Sequence, residues 1–165
     1  MRPDEIVERL RPRLSDAILA RGQAVVVVDR DALLPTLASL RDDDELGFDF
    51  LSSVTATDWP GRAPRFWIAY ELFSTVHRHR LRVTVGLPED DPRVDSVTGP
   101  FPTATFQERE VFDLFGVTFD GHPDLRRILM PDGWEGHPLR KTEELGGVDT
   151  QYKGAFIPPV DKRTT

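Results

Sequence analysis

The chain has 165 residues, of which 39 % are hydrophobic and 30 % charged, a balance that predicts one soluble globular domain with room for an appended arm. Cysteine is absent, which excludes a disulfide framework, a cysteine nucleophile, thiolate-held zinc and a cysteine-ligated iron–sulfur cluster. A formal net charge of −7 disfavours phosphate backbones as partners, and no run approaches the roughly 20 apolar residues of a membrane span.

No signal peptide is expected, because Arg9, Arg11, Arg13 and Asp16 interrupt any apolar stretch near the start, and a cytoplasmic setting follows. Ile6, Val7, Leu10, Leu14, Ala17 and Ile18 recur at three- and four-residue spacing and predict a first helix over Asp4–Ala20, with Gly22 just past its end. Ala24–Val28 is a continuous apolar run, the pattern of a strand covered on both faces. A second helix is predicted over Asp31–Arg41, with Leu33, Leu34, Leu37 and Leu40 inward, Pro35 in its first turns and Asp29 or Asp31 near its start. The acidic run Asp42–Glu45 reads as a solvated loop.

Three extended segments follow. Phe48–Thr57 ends at the turn signal Asp58-Trp59-Pro60-Gly61. Arg65–Phe73 sets Phe66, Ile68, Tyr70 and Leu72 against Trp67, Ala69, Glu71 and Phe73, while His79–Leu87 alternates Leu81, Val83, Val85 and Leu87 with Arg80, Arg82 and Thr84. His77–Arg82 is the one basic cluster, and its alternation fits a solvated strand face. The order helix, strand, helix, three strands predicts an α+β fold: a two-layer domain with a mixed, largely antiparallel sheet covered by helices.

Asp90–Pro102, rich in Pro, Gly and Asp, reads as a surface loop. A short helix then begins at Thr105, where Thr105-Phe106-Gln107-Glu108 has capping-box form, and Gly116 is placed to end it. Beyond Gly116 periodicity disappears, so residues 117–165 are expected to form an extended C-terminal arm beside a globular domain of residues 1–116. Apolar residues spaced along the arm suit docking on a partner. Arg109 and Asp113 stand four apart, within pairing reach, but an exposed pair contributes only about 0.3–0.5 kcal/mol. Arg126, Arg127 and Arg140 are candidate bidentate contacts to carboxylates elsewhere.

The richest stretch is Glu108, Arg109, Glu110, two residues, Asp113, Leu114, Phe115, six residues, His122, three residues and Arg126, followed by Gly136-His137-Pro138-Leu139-Arg140-Lys141. It resembles the signature of the thirty-kilodalton subunit family of respiratory complex I (NADH-quinone oxidoreductase), with every spacing met. The family's Arg-Lys pair is followed by an acidic residue; here Thr142-Glu143 follows, displacing the acid by one.

The resemblance implies a structural subunit of the peripheral arm of a proton-pumping NADH:quinone oxidoreductase, catalytic only as part of the whole. FMN, iron–sulfur clusters and quinone would belong to partner subunits, and this chain would bind no cofactor or metal. It would sit on the cytoplasmic side of a bacterial cell membrane without inserting, against the quinone-site and cluster-bearing subunits. The corresponding subunit of a photosynthetic NDH-type or hydrogenase-type complex is the alternative. The interface residues expected on this basis are Glu108, Arg109, Glu110, Asp113, Phe115, His122, Asp124, Arg126, Arg127, Trp134, His137, Arg140, Lys141, Tyr152 and Phe156.

His122 and His137, each before a proline, fit local turn-shaping better than metal ligation. A triad of Ser52 or Ser53 with His77 and Asp58 lacks a nucleophile elbow. Trp59 and Trp67 fit packing at the core or its rim.

Overall fold

The period-two alternation in the middle of the chain builds the centre of a five-stranded sheet. β1 (Ala17–Ala20), β2 (Gln23–Val28), β3 (Phe50–Asp58), β4 (Phe66–Phe73) and β5 (Arg80–Leu87) lie in the order β1-β2-β5-β4-β3. The β2–β5 pair is parallel and the other three are antiparallel, as the mixed α+β reading expects. The computed structural model describes residues 1–14, 16–131 and 133–143. Tyr152 and Phe156 lie outside the described residues.

One face of the sheet is closed. Phe66, Ile68, Tyr70 and Leu72 of β4 and Leu81, Val83, Val85 and Leu87 of β5 are buried with Ile6, Val7 and Leu10 of α1 (Pro3–Leu10) and Leu33, Leu37 and Leu40 of α2 (Leu33–Asp42). A 3-10 turn at Arg30–Ala32 leads into α2, and neither Asp29 nor Asp31 caps a helix with its side chain.

The first helix is shorter than its stripe predicts. α1 stops at Leu10, and Ala17–Ala20 pairs with β2 in the register Ala20↔Gln23. Arg21 (φ 51°) and Gly22 (φ 77°) form the two-residue turn between them. A two-residue hairpin closed by residues at positive φ matches strand twist, and it overrides the weak helical preference of Ala17-Ile18-Leu19-Ala20. A Cβ at position 22 would meet nothing within 4 Å, so Gly22→Ala should cost only the backbone penalty. The expected loss is about 1 kcal/mol, read as a lower urea midpoint with an unchanged slope.

Two local expectations change. Asp43 does not simply face solvent: its carboxylate accepts the N–H groups of Glu45 and Leu46 at 3.0 Å each and pairs with Arg13 at 2.6 Å. His79 leaves the solvated face, tilts against Phe48 and donates Nε2–H to the Leu46 carbonyl at 2.6 Å. Burial pushes its pKa down.

The loop expected over Asp90–Pro102 contains β6 (Arg93–Asp95), which pairs in parallel with β7 (Thr118–Asp120). β7 lies in the predicted arm, and Val117 and Phe119 join the same core as Val94, Val97 and Phe101. The chain beyond Gly116 therefore starts as part of the domain. α3 (Ala104–Phe115) runs along the edge strand β3, whose Val54 N–H is accepted by Gln107 and whose Leu51 carbonyl accepts the Thr103 hydroxyl. These contacts occupy edge groups that would otherwise be free to pair with another chain. Among the described residues, no helix is long and apolar enough to cross a membrane.

Candidate interaction surface

A helix ends with four carbonyls that its own backbone cannot satisfy. At the end of α3 the chain returns to supply donors for them. Gly116, at φ 71°, gives its N–H to Phe112 at 2.9 Å in the left-handed conformation predicted for it. The Asp113 carbonyl accepts His137 Nδ1–H at 2.9 Å, and the Leu114 carbonyl accepts the Leu139 N–H at 3.0 Å. Arg140 donates Nε–H to the Phe115 carbonyl at 2.6 Å and reaches the Gly116 carbonyl at 3.4 Å. Its cation thus sits at the negative end of the helix dipole. A Cβ on Gly116 would lie 2.5 Å from both Arg140 Nη2 and the His137 ring, so the two motifs fit only around glycine.

The side chains of α3 hold the other strand of this return. Asp113 is fully buried and accepts the N–H groups of Ile128, Leu129 and Met130 on Oδ2 at 3.0, 2.8 and 2.9 Å. Its Oδ1 takes Arg127 Nη1 at 2.7 Å. Burial opposes ionisation, but three backbone donors and Arg127 outweigh it and hold the carboxyl at about 2. Arg109 does not pair with Asp113. It donates to the Arg126 and Arg127 carbonyls at 3.1 Å each, with its guanidinium over the Phe106 ring. His122 Nδ1 accepts the Asp124 N–H at 3.0 Å, so Nε2 carries the proton and donates to the Thr105 carbonyl at 2.9 Å.

Glu108 is no capping residue. Thr105 gives its hydroxyl to the Pro102 carbonyl, while Glu108 turns fully inward. There it accepts Val97 N–H at 2.7 Å and the Ser96 hydroxyl at 2.6 Å. Burial raises it to about 7 against those two bonds.

The end of the described arm is fixed by a pair that the sequence did not mark. Asp58 and Arg65 face each other at 2.7 and 2.9 Å, with side-chain exposures of 0 % and 6 %. Asp58 also accepts the Lys141 N–H at 2.8 Å, and Arg65 reaches Glu89 and Thr142. The displaced acid, Glu143, lies 3.4 Å from the His137 N–H. Ser52, His77 and Asp58 are engaged elsewhere, with the Glu71 carbonyl, the Asp44 carbonyl and Arg65 respectively, so they form no triad. Trp59 packs at the rim under Arg62.

The polar groups of Glu108, Arg109, Asp113, His122, Arg127, His137 and Arg140 are therefore used within the chain, and Arg127 finds its carboxylate in Asp113. Phe115 packs against the core and Trp134 is half-buried in a turn. Glu110, Asp124, Arg126 and Lys141 reach solvent, and Arg126 pairs with Asp124 at 3.0 Å. Beside these charges the signature region also leaves apolar side chains uncovered: Phe106 is 64 % exposed, Leu129 59 %, Leu139 47 % and Ile128 38 %. Ile128, Leu129 and Leu139 are among the apolar residues spaced along the arm that the sequence offered for docking, whereas Phe106, on the exposed face of α3, was not singled out. Among the described residues, no group of three or more His, Asp or Glu is placed to hold a metal.

The family model for the respiratory-chain NADH dehydrogenase 30 Kd subunit matches residues 26–149. The chain is 45 % identical over 168 residues to the NADH-quinone oxidoreductase C-subunit of Acidothermus cellulolyticus, covering 97 % of this chain and 88 % of that protein. It is 51 % identical to the C-subunit of Saccharopolyspora erythraea over 87 % of this chain, but spans only 58 % of that protein's length. Among solved structures, Nqo5 as a trypsin-resistant fragment (1-134) superposes with a TM-score of 0.65 at 34 % identity, covering 76 % of this chain and all of the fragment. A chain of a membrane-bound sulfane sulfur reductase, an archaeal respiratory membrane complex, shares the fold with a TM-score of 0.72 at 24 % identity, over 86 % of this chain and 85 % of that one.

Proposed function

This chain belongs to the respiratory-chain NADH dehydrogenase 30 Kd subunit family, and we propose that it is the structural C-subunit of a proton-pumping NADH:quinone oxidoreductase. Its task is to hold neighbouring subunits of the peripheral arm at fixed separation on the cytoplasmic face of a bacterial cell membrane. Electron transfer from NADH through FMN and iron–sulfur clusters to quinone takes place in those partners, and none of this chain's groups joins the chemistry.

The observation that carries the reading is the division of labour around α3. Its charged signature residues lock the return of the chain, and the lock holds Phe106, Ile128 and Leu129 out into solvent. Exposed apolar side chains on a rigid backbone are what a permanent interface needs at its centre, with the exposed Arg126 on its polar rim. The test is a pull-down of the tagged full chain from its host membranes in mild detergent. Quinone-site and cluster-bearing subunits should come with the wild-type chain, and Leu129→Asp should reduce their recovery by tenfold or more at an unchanged melting temperature. Wild-type chain recovered alone would overturn the reading.

A further inference from the structure

The fully buried Glu108 has no part in the proposed interface. Its carboxyl sits where three elements meet: α3, which carries it; the segment after β6, which supplies Ser96 and Val97; and β4, whose Tyr70 is entirely buried with its hydroxyl unpartnered. Among the described residues no cation stands with the groups acting on it, and Tyr70 is a titratable side chain that senses its charge. Ser96 Oγ lies 2.6 Å from Glu108 Oε2 and 2.8 Å from Thr98 Oγ1. Ser96 and Thr98 line an open groove of about 550 Å³ between the turn before α3 and the end of β7.

This chain of oxygens can be satisfied in two directions. With Glu108 neutral, its O–H donates to Ser96, and Ser96 donates to Thr98. With Glu108 ionised, both hydroxyls reverse and donate inward, and the charge is held by Ser96 and the Val97 N–H. Hydroxyls rotate freely enough to serve both arrangements without moving the backbone. Among the described residues two buried side-chain polar atoms lack a partner, His79 Nδ1 and the Tyr70 hydroxyl, and of these the Tyr70 hydroxyl feels the charge of Glu108.

We propose that Glu108 is a buried proton-binding site, reached from the groove through the hydroxyls of Thr98 and Ser96, whose occupancy sets how firmly the segment after β6 is held on α3. The neutral acid is the tightly held form, because an ionised carboxylate there lacks a counter-charge. The sign follows from linkage: an acid whose pKa is raised by folding, here to about 7, favours the folded state at low pH and loses that advantage as pH rises.

The test uses the full chain. Carbon-13 NMR of the glutamate carboxyls, assigned with Glu108→Gln, should show one group titrating near neutrality, and amide exchange at Val97 should quicken once that group ionises. Between pH 5.5 and 8 the folding constant of the wild type should fall relative to Glu108→Gln by roughly thirtyfold. Ser96→Ala, which removes the relay and one donor to the anion, should move the titration further upward. All glutamates titrating below pH 5.5, or Ser96→Ala leaving the neutral titration in place, would overturn the proposal. The wild-type spectrum decides even if Glu108→Gln fails to fold.

Discussion

Replacing Asp113 with alanine is expected to release the returning chain from α3 while the sheet stays intact. The carboxylate serves three backbone N–H groups and one guanidinium from a position with no exposure. Its loss leaves buried donors without acceptors and Arg127 without its counter-charge, a cost of roughly 3–5 kcal/mol. Because these contacts join one segment to one helix, the loss should appear first as local opening. Hydrogen exchange at Ile128, Leu129 and Met130 should accelerate on the order of a hundredfold or more, with little change at Val83 or Ile68. Asp113→Asn, which keeps an acceptor but no charge, should fall between. The pH dependence has a definite sign. A carboxyl held at about 2 against an ordinary 3.8 contributes its full stabilisation above pH 4 and loses it as pH falls through 2. That contribution is roughly 2 kcal/mol and should be missing from the acid limb of the alanine variant. Unchanged exchange at residues 128–130 would mean that the loop holds itself.

The parts legible in the sequence are those whose period repeats. β4 and β5 alternate four times each, and every expected inward residue is buried. The first helix misled because Ala17 and Ile18 continue the spacing of Leu10 and Leu14, while the hairpin that claims them is closed by Arg21, a residue with no turn preference of its own. β6 and β7 are three residues each, too short for any period to show, and they are 22 residues apart from Asp95 to Thr118. The signature residues were visible as a motif, and their partners were not. Charge on a polar arm reads naturally as contact with another protein. Only the fold shows that Asp113 faces Arg127 and the backbone of 128–130, and that Arg140 faces helix carbonyls. Arg140→Ala should therefore act first on this chain's own fold.

Asp58 and Arg65 carry the second large effect, and the two single variants should differ. The pair is bidentate and almost wholly buried, and breaking such a pair from either side costs roughly 3–5 kcal/mol. Asp58→Ala should be the worse. It also strands the Lys141 N–H, and it leaves Arg65 and Arg140 to repel each other with only the more exposed Glu89 beside Arg65. The two guanidinium carbons lie 5.0 and 5.2 Å from the Phe66 ring, so neither can withdraw without uncovering it. Removing Arg65 instead leaves Asp58 with one backbone donor and Arg140 nearby, a partial substitute. Replacing both by Leu and Met removes the buried charges together, and urea unfolding should then recover to within about 2 kcal/mol of wild type. The double variant should still lose one tie, since Lys141 has no acceptor there and the end of the described arm is released. A double variant as unstable as the sum of the singles would show that the site is held by hydrogen bonds reaching beyond the pair, to Glu89 and Thr142.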